Sequence, residues 1–186
     1  MKTTGPEKLL LDIAKILDNL KIKYFITGGY AVSVWGRPRS TVDIDIAVEL
    51  IEPQVKSLLE ALKKISKAGY VDEDAAKYAV RHKGEFNFID PETGLKVDFW
   101  IMKEDPIAKS QYSRRKIKIV NKSKVNFISP EDLIINKLIW YKEAMSSRHL
   151  EDIESIVSIS KIDKNYIQKM AKLLNLEDIL REIKFK

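Results

Sequence analysis

Three aspartates stand in settings that suit metal-assisted phosphate chemistry. Asp43 and Asp45 are one residue apart in the alternating run Val42, Asp43, Ile44, Asp45, Ile46. In a strand, side chains two residues apart leave the same face about 6–7 Å from each other, so the carboxylates emerge together while the isoleucines turn to the core. Asp98 has the same setting, between Val97 and Phe99, and a neighbouring strand would complete a triad. Three close carboxylates repel one another unless divalent cations neutralise them, and hard oxygen ligands select magnesium or manganese over zinc. Two such ions about 4 Å apart activate a hydroxyl and stabilise a leaving pyrophosphate, which is the logic of in-line transfer at phosphorus. Upstream, Gly28 and Gly29 fall between a strand pattern and a short helix pattern, where backbone N–H groups and the positive helix end would meet phosphate.

The elements that must position these residues follow from periodicity and turn chemistry. Pro6 opens an amphipathic helix over 6–20, with Leu9, Leu10, Ile13, Leu17 and Leu20 on one face. Tyr24–Thr27 reads as a strand, Tyr30–Trp35 as a short helix, and Thr41–Val48 as the half-buried strand that carries Asp43 and Asp45. Pro53 begins a helix to about Lys67, ended by Gly69, and Asp74–Val80 supplies another short helical segment. Glu85–Ile89 and Leu95–Ile101 flank a turn-like Asp-Pro-Glu-Thr-Gly stretch and predict a hairpin with Asp98 in its second strand. Strands over 116–120 and 124–128 follow. Ser129, Pro130 and Asp132 then have the spacing of N-cap, N1 and N3, opening a helix, and further helices fill 148–184. The expected fold class is α+β: a small mixed twisted sheet with flanking helices over 1–128, plus a C-terminal helical subdomain over 129–186.

Composition narrows the chemistry. The 186 residues, 45% of them hydrophobic, suffice for one compact domain with a helical appendage. No cysteine and only two histidines, His82 and His149, remove thiol nucleophiles, disulfides and the usual zinc sites, so catalysis must rest on carboxylates and cations. No apolar run approaches the roughly 18 residues that a membrane span needs, and the expectation is a cytoplasmic protein without a membrane partner. A net charge of +6, from 33 basic and 27 acidic residues, favours polyanionic partners only moderately. The phosphate-binding loop G-x-x-x-x-G-K-[ST] and the G-x-S-x-G elbow are both absent, which sets aside kinase and serine-hydrolase readings.

The segment ITGGYAVSVWGRPRSTVDIDIAV resembles the signature of the polymerase-beta-like nucleotidyltransferase superfamily, and LKVDFW matches its later third carboxylate. Within that superfamily the form G-x-x-R-x-T-x-D-I-D is similar to the branch of lincosamide nucleotidyltransferases and abortive-infection-type toxin nucleotidyltransferases. SPEDLIINKLIWYKEAMSSRHLEDI resembles the helical motif after their catalytic core. The resemblance implies an enzyme that moves a nucleoside monophosphate from an NTP to a hydroxyl acceptor with release of pyrophosphate. It implies Asp43 and Asp45 as ligands to both metals, Asp98 as a ligand that also receives the acceptor's proton, and Lys137 as a contact to the triphosphate. Gly28 and Gly29, by their place between strand and helix, and Arg39 and Thr41, in the loop before the aspartates, are the further candidates for the substrate site. Gly29 stands where many members carry serine, so backbone donors must replace a hydroxyl. The resemblance leaves the acceptor open among a small molecule such as an antibiotic, a tRNA end and a protein side chain, and the toxin-like version implies an antitoxin partner.

Each residue also has a blander reading. An isolated Asp-x-Asp is more often a solvated edge, and Lys137 on a helix is ordinarily a surface lysine. Arg39 pairs with a carboxylate or a phosphate through its planar fork, or sits in a plain loop, while Thr41 fixes the entry to its strand. Arg148 and Asp152 have the i, i+4 spacing of a helix-surface ion pair, although the pattern of the resembled branch implies a site-supporting role. His82 and His149 read as exposed. Trp100, beside Asp98, is the best base-stacking candidate of the three tryptophans. The basic run from Arg114 to Lys124 reads as a solvated edge, with RNA binding as the minority view. The alternative to an enzyme is a catalytically inactive nucleotide- or RNA-binding module that retains the fold.

Overall fold

The computed structural model describes residues 5–41 and 43–183. By proximity these form two compact units, one of the stretch up to Tyr30 with Thr41–Phe127, the other of Ala31–Ser40 with the stretch from Ile128.

The first unit is built on a seven-stranded mixed sheet. Its strands are β1 (Lys23–Thr27), β2 (Asp43–Glu49), β3 (Tyr70–Val71), β4 (Glu85–Asp90), β5 (Leu95–Ile101), β6 (Lys116–Val120) and β7 (Ser123–Phe127), in the order β3-β4-β5-β2-β1-β7-β6. β2 pairs parallel with β5 and antiparallel with β1, and β1 pairs parallel with β7. Alternation sorts the side chains. Ile44, Ile46 and Val48 of β2 share a face with Val97, Phe99 and Ile101 of β5, and all are buried. Helices α1 (Gly5–Asn19) and α3 (Glu52–Leu62) pack together and supply Leu10, Ile13, Leu17, Leu58 and Leu62 to the buried core. Each such side chain, fully buried, contributes about 1.5–3 kcal/mol. Phe86 stacks on Phe99 with centroids 4.9 Å apart in the same layer.

The mixed α+β sheet agrees with the expected fold class, and most elements lie where periodicity placed them. α3 ends at Leu62 rather than near Lys67, because residues 63–65 turn back through the bonds Lys64 N–H to Ala61 O and Ile65 N–H to Leu62 O. α4 (Glu73–His82) starts one residue early, because Asp72 caps it by accepting from the Ala75 N–H. Sequence periodicity missed α5 (Pro106–Arg114), which has no buried residue and so no apolar stripe to reveal it. It is set by Asp105 at the cap and Pro106 at the first turn. β3, two residues long, was also below the reach of alternation.

The second unit is helical. α6 (Pro130–Ala144) packs against α7 (Ser147–Ile159), α8 (Lys164–Leu173) and α9 (Glu177–Arg181). Ser129 caps α6 as its spacing with Asp132 predicts, accepting from the Asp132 N–H and donating its hydroxyl to Asp132 Oδ2 at 2.6 Å. The segment Ala31–Ser40 is tied to these helices by Trp35 Nε1–H to Ile128 O, Ser160 Oγ–H to Trp35 O, and Arg37 N–H to Ser155 Oγ. Among the described residues no helix is long and apolar enough to cross a membrane.

Candidate active site

The parallel pairing of β2 with β5 brings the aspartates together. Asp45 lies directly opposite Asp98, and Asp43 opposite Lys96. Directly opposed residues share a face, so all four leave the side away from the isoleucine core. Thr27 of β1 pairs with Asp45 on that face, and Glu85 and Asn87 of β4 pair with Trp100 and Asp98. The face accumulates negative charge. Glu85, although exposed, has its carboxyl pushed up by partial desolvation and then by the Asp98 and Asp45 carboxylates. Lys96 is pushed up as an ammonium, first by its hydrogen bond to Asp98, with Asp43 and Glu85 adding attraction.

Lys96 Nζ sits 2.8 Å from Asp98 Oδ2 and partly neutralises the cluster. Among the described residues no three carboxylates or imidazoles stand close enough to hold an ion as they are placed. The donor chemistry and the backbone nevertheless fit a hard cation. The Thr27 hydroxyl is buried, without a hydrogen-bond partner among the described residues, and Thr27 pairs with Asp45 across the strands. Gly28, at the first position of α2 (Gly28–Trp35), has φ +61°, and a Cβ added there would lie 1.8 Å from Asp45 Oδ2. The Asp45 carboxylate thus packs against the bare Cα of Gly28, a close approach that only glycine allows. Gly29 follows in the first turn of the same helix. Thr41 donates its hydroxyl to Asp43 O at 3.0 Å, which fixes the entry to β2. Trp100 is 41% exposed and donates a long 3.4 Å bond from Nε1 to Asp45 Oδ1.

In the helical unit, Asp152 of α7 is the hub of a second charged group. Arg39 grips it with both arms of the fork, Nε to Oδ1 at 2.8 Å and Nη2 to Oδ2 at 3.1 Å. Lys137 of α6 reaches Oδ2 at 2.8 Å. Lys137 and Asp152 are only 4% and 3% exposed, so the surface-lysine reading is overturned. The expected Arg148–Asp152 pair is replaced as well: the burial of Asp152 commits it to Arg39 and Lys137. His149 lies beside this group, with its ring 5.9 Å from that of Trp140. Burial, then the Lys137 charge, holds its imidazole below its ordinary range, and its Nδ1 is buried without a hydrogen-bond partner among the described residues. His82 is exposed and stacks on Tyr78.

Residues 7–186 match the family DUF6036, described as a nucleotidyltransferase of unknown function. The chain belongs to that family. Solved structures agree on the fold of this nucleotidyltransferase. The antibiotic-resistance factor ANT(2'')-Ia superposes with a TM-score of 0.67 at 15% identity, over 97% of this chain and 96% of that one. The lincosamide antibiotic adenylyltransferase LnuA, solved with lincomycin bound, gives 0.56 at 16% identity, over 85% and 99%. An antigenic nucleotidyltransferase-like protein from Paracoccidioides brasiliensis gives 0.59 at 20% identity, over 95% and 90%. At these identities the likeness is one of fold. A search of curated protein sequences finds no match.

Three residues of this nucleotidyltransferase were not singled out for the site by sequence reasoning. Lys96 was legible, since it stands two residues before Asp98 and must share its face. Thr27 was not, because its place beside Asp45 depends on the β1–β2 register. Asp152 was noted with Arg148 as a surface pair or a site-supporting one, and its engagement with Arg39 and Lys137 depends on packing that spacing does not encode.

Proposed function

We propose that this nucleotidyltransferase moves a nucleoside monophosphate from an NTP to a hydroxyl acceptor and releases pyrophosphate, with Asp43, Asp45 and Asp98 as its catalytic and metal-binding carboxylates. The observation that carries this reading is the register that sets Asp45 opposite Asp98 with Asp43 on the same face. The three carboxylates would hold magnesium or manganese, which would polarise the phosphates and stabilise the pyrophosphate charge. Asp98 takes up the acceptor's proton as that oxygen bonds to the α-phosphorus and the bond to the β-phosphate oxygen breaks. Gly28 and Gly29 present backbone at the start of α2, suited to phosphate oxygens. Thr41 keeps Asp43 in register. Family resemblance assigns Lys137 to the triphosphate, and the planar fork of Arg39, here on the Asp152 carboxylate, also suits a phosphate.

The Lys96–Asp98 pair favours a second reading, a binding module in which an ammonium permanently neutralises the cluster. Calorimetric titration with ATP, GTP, CTP and UTP, with and without magnesium, on the native chain and Asp43→Ala separates the two. Nucleotide binding that requires both metal and Asp43 supports the enzyme; binding indifferent to both sinks it. Growth arrest on expression, relieved by Asp45→Asn, would identify the toxin-like version that works against an antitoxin. Antibiotic resistance without arrest would identify a drug-modifying one.

A further inference from the structure

The first unit carries a basic groove at the end of the sheet away from Asp43. It has a volume of about 370 Å³ and is lined by Lys23, Lys83, Lys103 and Lys109 around an apolar floor that includes Leu50 and Met102. A second hollow of about 260 Å³ continues it, sharing Lys23 and Tyr112 and adding Lys21 and Arg115. Six cations line the pair of hollows against three carboxylates, Asp18, Glu49 and Glu104. Lys23 is paired with Glu49 and Lys83 with Glu104, while Lys21, Lys103 and Lys109 are exposed and enter no ion pair among the described residues. Where the hollows meet, the Arg115 guanidinium lies 3.9 Å from the centre of the Tyr112 ring, with Lys23 Nζ 5.7 Å away. Arg115 Nε is a buried donor without an acceptor among the described residues.

We propose that this groove binds a single-stranded nucleic acid, with phosphates on the lysines and a base against the Tyr112–Arg115 platform, and that the acceptor hydroxyl belongs to that strand. The second clause rests on the nucleotidyl-transfer reading. A cationic track interleaved with an aromatic ring is the combination that holds single strands without regard to sequence. Position argues for the same occupant. Glu49, on the groove wall, is four residues along β2 from Asp45, a rise of about 13 Å. A compact acceptor seated at the carboxylates stops short of the lysines, whereas a chain of nucleotides reaches both.

The test is fluorescence anisotropy with a labelled oligouridylate of about 12 nucleotides, a length within the usual single-strand site sizes. It compares the native chain, Lys103→Glu/Lys109→Glu, Tyr112→Ala and Asp43→Ala across a salt series. The charge reversal is expected to weaken binding at least tenfold and to lower the slope of log affinity against log salt by about 0.7 per lysine. Tyr112→Ala is expected to weaken it about tenfold, and Asp43→Ala to leave it unchanged. The variants must keep the native thermal midpoint, and magnesium-dependent NTP binding by the lysine variant is the control for the catalytic site. Unchanged affinity and salt slope in a folded lysine variant overturns the groove. Equal competition by polyglutamate overturns the assignment to nucleic acid. Loss of NTP binding by Asp43→Ala together with intact groove binding supports both readings; failure of NTP binding alone sinks only the transfer reading. Pyrophosphate release that is stimulated by the oligonucleotide in the native chain, and not in the lysine variant, supports the acceptor clause, and release indifferent to it overturns that clause.

Discussion

The sheet unit and the helical unit treat charge in opposite ways. On the sheet, Asp43, Asp45, Asp98 and Glu85 gather on one face with Lys96 among them, Glu85 exposed, Asp43 and Asp45 half-buried and Asp98 buried. In the helical unit, the half-buried Arg39 and the buried Lys137 converge on one carboxylate that is 3% exposed. Accessible like charges cost little while water screens them and leave room for a counterion. Buried charges survive only if each is paired, because desolvation is repaid by good geometry alone. The carboxylate face is therefore arranged for a ligand that comes and goes, and the Asp152 hub for fixing side chains in place.

That contrast predicts which substitutions hurt activity and which hurt stability. Asp45→Asn is expected to lower nucleotidyl transfer by on the order of 10³-fold, read by pyrophosphate release, while its thermal midpoint stays level or rises as repulsion is relieved. A large fall in midpoint would break the comparison. Asp152→Ala removes the buried carboxylate that Arg39 and Lys137 share, and urea unfolding should show a loss of about 3–5 kcal/mol. Adding Lys137→Met should recover part of it; no recovery would mean that the hub is not electrostatic. Gly28→Ala forces a side chain into the left-handed region and onto the Asp45 carboxylate. A cost of about 1–3 kcal/mol is expected, with weakened NTP binding in calorimetry.

The helical unit should also show its buried charge as a pH dependence. The folded chain favours neutral His149, whose proton affinity is depressed by burial and by Lys137. The stability it contributes is present above the ordinary value of 6.5 and is lost as pH falls through the lowered folded value. His149→Gln should flatten that part of the acid limb in thermal melts, and an unchanged limb would remove the histidine from the account. The smallest effect is expected at Lys96→Met, which frees Asp98 and should tighten magnesium binding about threefold by calorimetry. Weaker binding would instead make Lys96 a helper of the site.

Much of the fold was legible locally. Alternation in Asp43–Val48 and Leu95–Ile101, the Ser129-Pro130 cap and the apolar stripe of α1 all encode their elements within one or two turns. α5 escaped because it buries nothing, although Asp105-Pro106 marked its start. The candidate site was legible as residue types and faces, and through Lys96 and Asp98 even as a pair. It was not legible where two distant segments meet, as Thr27 does with Asp45 or Asp152 with Arg39 and Lys137.

The amino-acid sequence by itself determined which side chains face which way along each strand and helix, because backbone periodicity and caps are set by neighbours a few residues apart. It determined the chemistry available, carboxylates and cations without thiols. Tertiary structure alone decided that Asp45 stands opposite Asp98, that Lys137 is buried rather than solvated, and that Asp152 serves Arg39 and Lys137 in place of Arg148. Strand register and helix packing are settled by contacts between residues far apart in the chain, and only the folded core selects among the pairings that local pattern leaves equivalent.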